Sequence, residues 1–299
     1  MGVDAPRAYV DRPVTDLAAA TAAAEKAAAR WRLEQPVLLR RGMNAIYGCG
    51  DTVLRVAAPS VPAHASLELA AFLTSRGIRV PLPRRDDVVV AGPLSVTAWE
   101  RIADDDVAVD WVAVGAMVRS VHGLDHREVP ASVPLPSPAV LPWWDFDRLV
   151  ERAGEALDAE ARAGLGKAVD RHRGWERFVN PVVCHGDVHP GNVMMSGDGP
   201  VLIDWDLLCR APAGWDHGPL LTWHERWGGH ADIYEHFATG YGRAFVDDPA
   251  ALGLAELRLV AATLMRVIAA VDDVGARPEA ERRLRYWRGE LDAPPWAAQ

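Results

Sequence analysis

Residues 182–206 of the chain, with the sequence VVCHGDVHPGNVMMSGDGPVLIDWD, decide how the rest of it is interpreted. Two short apolar runs, at 193–195 and 201–203, flank a turn of small and polar residues, and this pattern predicts a β-hairpin. Asn192 precedes the first run and Asp204 follows the second. Because the open ends of paired antiparallel strands lie side by side, we expect Asn192 and Asp204 to be neighbours.

A second acid, Asp187, lies on the loop that enters the same end of this hairpin, five residues before Asn192. Carboxylate and amide oxygens are ligands that suit magnesium, which often shares its coordination shell with substrate phosphates. Phosphoryl-transfer enzymes use an Asp that accepts the hydroxyl proton, an Asn five residues later that holds metal, and a later Asp that also holds metal. The order and spacing of Asp187, Asn192 and Asp204 therefore indicate phosphoryl transfer.

The same loop also allows a different chemistry. His185, Asp187 and His189 alternate along it, and imidazole and carboxylate groups are suitable zinc ligands for hydrolysis. This alternative leaves Asn192 and Asp204 without a role, so we favour phosphoryl transfer.

Composition and charge narrow the class of protein. The chain has 299 residues, of which 49 % are apolar and 24 % are charged. These values are typical of globular proteins and exclude disorder of the whole chain, and the length suits two lobes around a cleft. The formal net charge is −9, with 41 acidic and 32 basic residues. Such a charge argues against nucleic-acid binding and favours small cationic ligands.

Targeting signals are not apparent in the sequence. The most apolar helical run, at 259–271, is short for a membrane span and contains Arg266. The N-terminus lacks the pattern of a secretory signal. The three cysteines are far apart and lack metal-binding spacing. We therefore expect a cytoplasmic protein that contacts neither membrane nor nucleic acid.

The first hundred residues predict a small antiparallel sheet with one inserted helix. Thr15 is expected to cap a helix over residues 16–32, and Leu67, Leu69, Ala70 and Leu73 predict the inserted helix. Strands are expected at residues 37–40, 45–47, 52–56, 88–91 and 94–98. From residue 110 onward the pattern is mainly helical, including an almost wholly apolar helix over 255–271.

The motif HGDVHPGN at 185–192, followed by IDWD at 203–206, resembles the aminoglycoside phosphotransferase family of small-molecule kinases. The resemblance implies an α/β (α+β), two-lobed protein-kinase-like fold, with a small antiparallel-sheet N-lobe at 1–98 and a larger, mainly helical C-lobe at 99–299. It also implies that Asp187 is the catalytic base and that Asn192 and Asp204 bind Mg²⁺. His185 is then a structural member of the catalytic loop, and His122 matches a recurrent family position.

One strand departs from the family pattern. The sequence VLRV at 53–56 resembles the family's third strand, in which a lysine contacts the α- and β-phosphates, but this chain has Arg55 there. Lys26 and Lys167 are the only lysines, and both belong to other helices. We expect Arg55 to replace the lysine and Glu68, on the following helix, to be its ion-pair partner.

The remaining nucleotide contacts are also assigned by resemblance. Trp99, Glu100 and Arg101 fall where the hinge between the lobes runs, with backbone groups expected to meet a purine. Asn44, in the turn between the first two strands, is assigned to the same nucleotide site. Further along the chain, Asp206 and Asp216 either line the acceptor pocket or hold their own loops.

The resemblance implies transfer of the γ-phosphate of ATP or GTP to a hydroxyl of a small molecule, with Mg²⁺ as cofactor. Fold and motif do not specify the acceptor. Aminoglycosides and other antibiotics, amino sugars and amino alcohols all fit, and antibiotic resistance is one expected consequence. The alternative is a catalytically impaired, nucleotide-binding pseudokinase, in which Arg55 fails to replace the lysine. Nothing in the sequence indicates an oligomeric state.

Overall fold

A computed structural model of the chain describes residues 12–103 and 107–297. The chain forms two compact units, and each unit combines separate stretches of sequence. Unit 1 comprises Met1–Asp110, Leu124–Leu135 and Pro190–Leu208, and unit 2 comprises Trp111–Gly123, Pro136–His189 and Cys209–Gln299. The hairpin with Asn192 and Asp204 therefore belongs to unit 1, and the loop with Asp187 belongs to unit 2.

The order of secondary-structure elements matches the expected change from strands to helices. The strands are β1 (Val37–Arg41), β2 (Ala45–Cys49), β3 (Thr52–Ala57), β4 (Val89–Ala91), β5 (Leu94–Glu100), β6 (Val182–Cys184), β7 (Val193–Ser196), β8 (Gly199–Leu202) and β9 (Cys209–Ala211). The helices are α1 (Leu17–Trp31), α2 (His64–Ser75), α3 (Trp111–His122), α4 (Phe146–Ala153), α5 (Ala159–Arg171), α6 (Gly214–Leu221), α7 (Trp223–Trp227), α8 (Ile233–Tyr241), α9 (Pro249–Asp272) and α10 (Arg277–Trp287).

Unit 1 is built on an antiparallel sheet with the strand order β1-β2-β3-β5-β4. Side chains alternate between the two faces of a strand, and in β3 Leu54 and Val56 are fully buried while Val53 and Arg55 are partly exposed. Helix α1 covers the buried face, where its alanines and Trp31 pack with Leu54 and Val56. Arg55 consequently lies on the opposite face of the sheet.

Two boundaries in unit 1 differ from the sequence predictions. Asp16, rather than Thr15, caps α1, because its carboxylate accepts a hydrogen bond from the N–H of Ala19 at 2.9 Å. Strand β5 continues to Glu100, so the predicted boundary between residues 98 and 99 falls inside a strand. The ends of the predicted lobe ranges, at residues 1–11 and 298–299, lie outside the described residues.

The hairpin β7–β8 forms as predicted, with Val193 opposite Leu202. Two hydrogen bonds from the segment that follows α2 attach the hairpin to the rest of unit 1. The N–H of Leu202 donates to the carbonyl of Arg79 at 3.1 Å, and the Arg79 guanidinium donates to the Ser196 hydroxyl at 2.9 Å. This attachment fixes the position of the hairpin's open end.

Helix α9 is central in unit 2, where it packs against α4, α5, α6 and α10. Pro249 starts the helix, the Asp248 carboxylate accepts from the first free N–H groups, and the apolar residues nearly all round it are buried. Helices α3 and α8 approach so closely that a Cβ on Gly115 would lie 2.0 Å from the carbonyl oxygen of Phe237. Within residues 12–103 and 107–297, no helix is long and apolar enough to cross a membrane.

Candidate active site

The open end of the β7–β8 hairpin holds the two predicted metal ligands. Asn192 is buried, and its carbonyl accepts a hydrogen bond from the N–H of Ile203 at 3.0 Å. Asp204 follows directly, in the left-handed backbone conformation with φ at 61°. That conformation is uncommon for a residue with a side chain and favours Gly, Asn or Asp. The structure thus confirms the predicted side-by-side placement of Asn192 and Asp204.

Arg55 reaches this end of the hairpin through Asp206. Its guanidinium lies 2.5 Å from the Asp206 carboxylate, and both side chains are only 16 % exposed. The Asn44 side-chain amide donates to the same carboxylate oxygen at 3.4 Å. Burial raises the pKa of Asp206 and the charge of Asp204 raises it further, against the opposing effect of Arg55. Two carboxylates and one arginine therefore share a confined polar region within unit 1.

The predicted ion pair between Arg55 and Glu68 is wrong. Glu68 lies on α2, and its side chain is about half exposed. In the described part of the chain, its carboxylate accepts a hydrogen bond from the Ser132 hydroxyl, and its Oε1 lies 3.7 Å from His64 Nε2. Arg55 pairs instead with the carboxylate of Asp206, 151 residues further along the chain.

The expectation for the backbone at residues 99–101 also needs correction. The N–H of Glu100 donates to the carbonyl of Leu82 at 2.8 Å, and the N–H of Arg101 donates to the carbonyl of Asp51 at 2.9 Å. Trp99 pairs with Val53 in the sheet, and its indole N–H donates to Thr97. The N–H groups of Glu100 and Arg101 are therefore used inside unit 1 and are not free for a purine.

In unit 2, a guanidinium and an imidazole flank the Asp187 carboxylate. Arg258 of α9 donates to Asp187 Oδ1 at 2.9 Å, and His189 Nε2 lies 3.3 Å from Oδ2. Burial by itself would raise the pKa of Asp187, but the hydrogen bond from His189 and the nearby positive charge, that of Arg258 included, outweigh it. The pKa of Asp187 is therefore held below its ordinary value, and the side chain is ionised at neutral pH.

His185 and Asp216 shape the loop that presents Asp187. The Asp216 carboxylate accepts the N–H groups of His185 and Gly186, each at 2.8 Å, and also bonds to His122 Nε2 at 3.0 Å. The His185 ring is fully buried, and its Nδ1 accepts the N–H of Asp187 at 3.2 Å. In this network His122 contacts Asp216, and Asp216 fixes the loop by accepting two of its backbone N–H groups.

The zinc alternative is not supported by this geometry. Among the described residues, the one group of potential ligand atoms close enough to share a metal ion is His122, Cys184 and Asp216. The Asp216 carboxylate already accepts hydrogen bonds from two backbone N–H groups and contacts His122. His189, instead of converging with His185, stacks its ring on Trp223 with centroids 5.9 Å apart.

Arg258 is the residue of this site that the sequence analysis missed. It lies in a mostly apolar, buried helix, and only 17 % of its side chain is exposed. Charged residues are rarely buried unless they are paired. An arginine on the buried side of α9 was therefore a signal that a carboxylate lay opposite, although nothing in the sequence identified that carboxylate as Asp187.

Comparison with known families assigns the chain. A family model described as the phosphotransferase enzyme family (APH) matches residues 44–254. This range is more than half of the chain, so the protein belongs to that family. It includes Asn44, Arg55, Asp187 and the β7–β8 hairpin. No curated protein sequence matches the chain significantly.

Solved structures confirm the protein-kinase-like fold. A choline/ethanolamine kinase family protein from Mesorhizobium loti is 18 % identical, with a TM-score of 0.64 over 94 % of this chain and 95 % of that one. An amicoumacin kinase in complex with AMP-PNP and Ca²⁺ is 12 % identical, with a TM-score of 0.64 over 91 % and 95 %. A spectinomycin phosphotransferase with ADP and spectinomycin is 15 % identical, with a TM-score of 0.60 over 87 % and 90 %. Family and fold together support a phosphotransferase that acts on a small molecule.

Proposed function

We propose that this protein transfers the γ-phosphoryl group of ATP or GTP to a hydroxyl group of a small molecule, with Mg²⁺ as cofactor. One observation carries the proposal. An ionised carboxylate, Asp187, is fixed on a buried loop five residues before Asn192, and Asn192 shares the open end of a hairpin with Asp204. This is the arrangement of residue types that phosphoryl transfer requires.

The donor set at the hairpin's open end fits a magnesium ion. Asn192 offers an amide oxygen and Asp204 a carboxylate, both of them hard ligands. Burial and the nearby charge of Asp204 raise the pKa of Asp206, so a cation at this end would relieve the repulsion between the two carboxylates. When bound, the ion neutralises charge on the phosphates of the nucleotide.

Asp187 would act on the acceptor. The acceptor hydroxyl donates a hydrogen bond to the carboxylate, and its oxygen forms a bond to the γ-phosphorus while the bond from that phosphorus to the bridging β,γ-oxygen breaks. The hydroxyl proton passes to Asp187 and then to water, which leaves a phosphate monoester and a nucleoside diphosphate. Because the pKa of Asp187 is low, the carboxylate is a weak base, and its main contribution is orientation of the hydroxyl.

Arg55 would contact phosphate oxygens where other family members use a lysine. Its guanidinium keeps a permanent charge and offers donors in a fixed fork that suits phosphate. Asp206 would keep Arg55 in position, because its carboxylate pairs with the Arg55 guanidinium and accepts a hydrogen bond from the Asn44 amide. We propose that this group of three side chains replaces the usual lysine and its acidic partner.

The acceptor class follows from charge and from the related structures. A net charge of −9 attracts cationic molecules, and structurally similar proteins include a spectinomycin phosphotransferase, an amicoumacin kinase and a choline/ethanolamine kinase family protein. We propose an aminoglycoside or other antibiotic, an amino sugar or an amino alcohol as acceptor. The described cysteines Cys49, Cys184 and Cys209 are free and buried, which suits a reducing cytoplasm.

The experiment that tests this function measures nucleotide consumption against a panel of hydroxylated amines and antibiotics, with ³¹P NMR to detect the phosphate monoester. Asp187→Asn should nearly abolish product formation. Asp198→Asn is the matched control, because Asp198 lies in the turn of the same hairpin and its side chain is 95 % exposed. Nucleotide and Mg²⁺ binding without turnover of any acceptor would contradict the proposal.

A further inference from the structure

Arg258 donates hydrogen bonds to two groups of the loop that carries Asp187. From α9, its Nη1 donates to Asp187 Oδ1 at 2.9 Å and its Nη2 donates to the carbonyl oxygen of Gly186. A planar guanidinium makes two such bonds with fixed relative geometry, which a flexible ammonium group cannot do. The carboxylate of Asp187 and the backbone that carries it are therefore held by one rigid group.

Aromatic rings fix the guanidinium itself. Its central carbon lies 5.2 Å from the ring centroid of Trp215 and 5.8 Å from that of Trp144. Both indoles are buried, and their centroids are 4.5 Å apart. Cation–π contacts of this kind favour one position of the charged group over the faces of the rings. Arg258 is thus pre-positioned independently of any ligand.

Two side chains, Asp216 and Arg258, hold the backbone of this loop. Asp216, the neighbour of Trp215, accepts the N–H groups of His185 and Gly186, while Arg258 binds the carbonyl of Gly186 and the side chain of Asp187. The backbone network positions the loop, whereas Arg258 touches the reacting carboxylate itself. Removal of Arg258 should therefore leave the backbone of the loop held by Asp216 and remove the bond that fixes Asp187 Oδ1.

We propose that Arg258 is a positioning residue for the phosphoryl-transfer reaction, which fixes the orientation of the Asp187 carboxylate toward the acceptor hydroxyl. The inference rests on the proposed function, because it assigns Asp187 to that hydroxyl. Arg258 acts on the acceptor step through Asp187, so its loss should lower kcat and leave nucleotide binding unchanged.

Arg258 also affects the ionisation of Asp187. The charged and titratable groups that face this carboxylate are Arg258 from α9 and His189 and His185 from its own loop. A guanidinium carries a permanent charge, and Arg258 is bonded directly to Asp187 Oδ1. Its removal should shift the acid limb of the kcat profile to higher pH, an effect that a purely structural arginine would not have.

The test compares Arg258→Met and Arg258→Lys with wild type, and uses Arg266→Met as the matched control on the same helix. Arg258→Met should lower kcat about 10- to 100-fold, the cost of a misplaced catalytic group, and change the KM for nucleotide less than about twofold. Arg258→Lys should recover part of the loss and restore the acid limb. A folded Arg258→Met enzyme with the wild-type kcat and pH profile would overturn the proposal.

A double-mutant cycle separates this inference from the proposed function. If Arg258 acts through Asp187, adding Arg258→Met to Asp187→Asn should cause no further loss of rate, whereas independent action would give multiplied losses and refute the inference. If wild type phosphorylates no acceptor, the proposed function fails. The cycle is then measured on urea unfolding of the same four proteins, where the absence of coupling would refute the Arg258–Asp187 contact itself.

Discussion

Replacement of Arg55 by alanine tests the most unusual feature of the proposed nucleotide site. The substitution removes a guanidinium that lies 2.5 Å from Asp206, in a place where both side chains are 16 % exposed. It leaves the Asp206 carboxylate beside the charge of Asp204, with the Asn44 amide still 3.4 Å away. We expect two separate effects, one on stability and one on nucleotide handling.

The magnitude of each effect can be worked from this geometry. Loss of one partner from a fully buried ion pair costs about 3–5 kcal/mol. Partial exposure and the remaining Asn44 contact reduce the expected loss in the free energy of unfolding to roughly 2 kcal/mol. A charge-assisted hydrogen bond to phosphate is worth about 1.5–3 kcal/mol, so the KM for nucleotide should rise and kcat/KM should fall about 10- to 100-fold.

Urea unfolding and steady-state kinetics measure the two effects on one set of variants. Arg55→Lys keeps the charge and should lose less of both stability and activity. Asp206→Asn, added to Arg55→Ala, removes the unpaired carboxylate and should recover stability but not nucleotide affinity. Arg40→Ala, at an exposed arginine of β1 in the same sheet, is the control and should change neither. If Arg55→Ala retains wild-type stability and wild-type KM for nucleotide, the reasoning about Arg55 is refuted.

Further outcomes follow from the other residues of the chain. Asp187→Ala should nearly abolish turnover while the affinity for nucleotide, measured by calorimetry, stays within a few-fold. Asp204→Ala should raise the Mg²⁺ concentration needed for half-maximal nucleotide binding, and an unchanged Mg²⁺ titration would remove it from the metal site. Burial lowers the pKa of His217 from 6.5 to about 3. As the pH falls below 6.5, the unfolded chain binds a proton at His217 and the folded chain does not, so acid favours unfolding. His217 should therefore remove about 2 kcal/mol of stability between pH 7 and pH 5, and His217→Phe should flatten that part of the urea-unfolding profile. A pH profile of His217→Phe identical to wild type would contradict this assignment.

Local sequence was sufficient wherever a structural feature depended on nearby residues. The turn and the apolar runs at 193–203 fix the pairing of β7 and β8, and an antiparallel register leaves no choice but to bring Asn192 next to Asp204. Alternation in β3 likewise put Arg55 on the face opposite Leu54, since side chains in a strand point to opposite sides in turn.

Side-chain partners that are distant in sequence required the tertiary structure. Asp206 pairs with Arg55 across 151 residues, and Arg258 reaches Asp187 across 71. The choice of Glu68 as the partner of Arg55 was wrong because helix α2 presents that residue on its exposed side, which its apolar pattern alone did not decide. The motif of the chain was sufficient to indicate its family and the chemistry that we propose for Asp187, Asn192 and Asp204. Which charges neutralise one another was decided only by packing, because a buried charge pairs with whatever group the folded chain places within reach, at any separation in sequence.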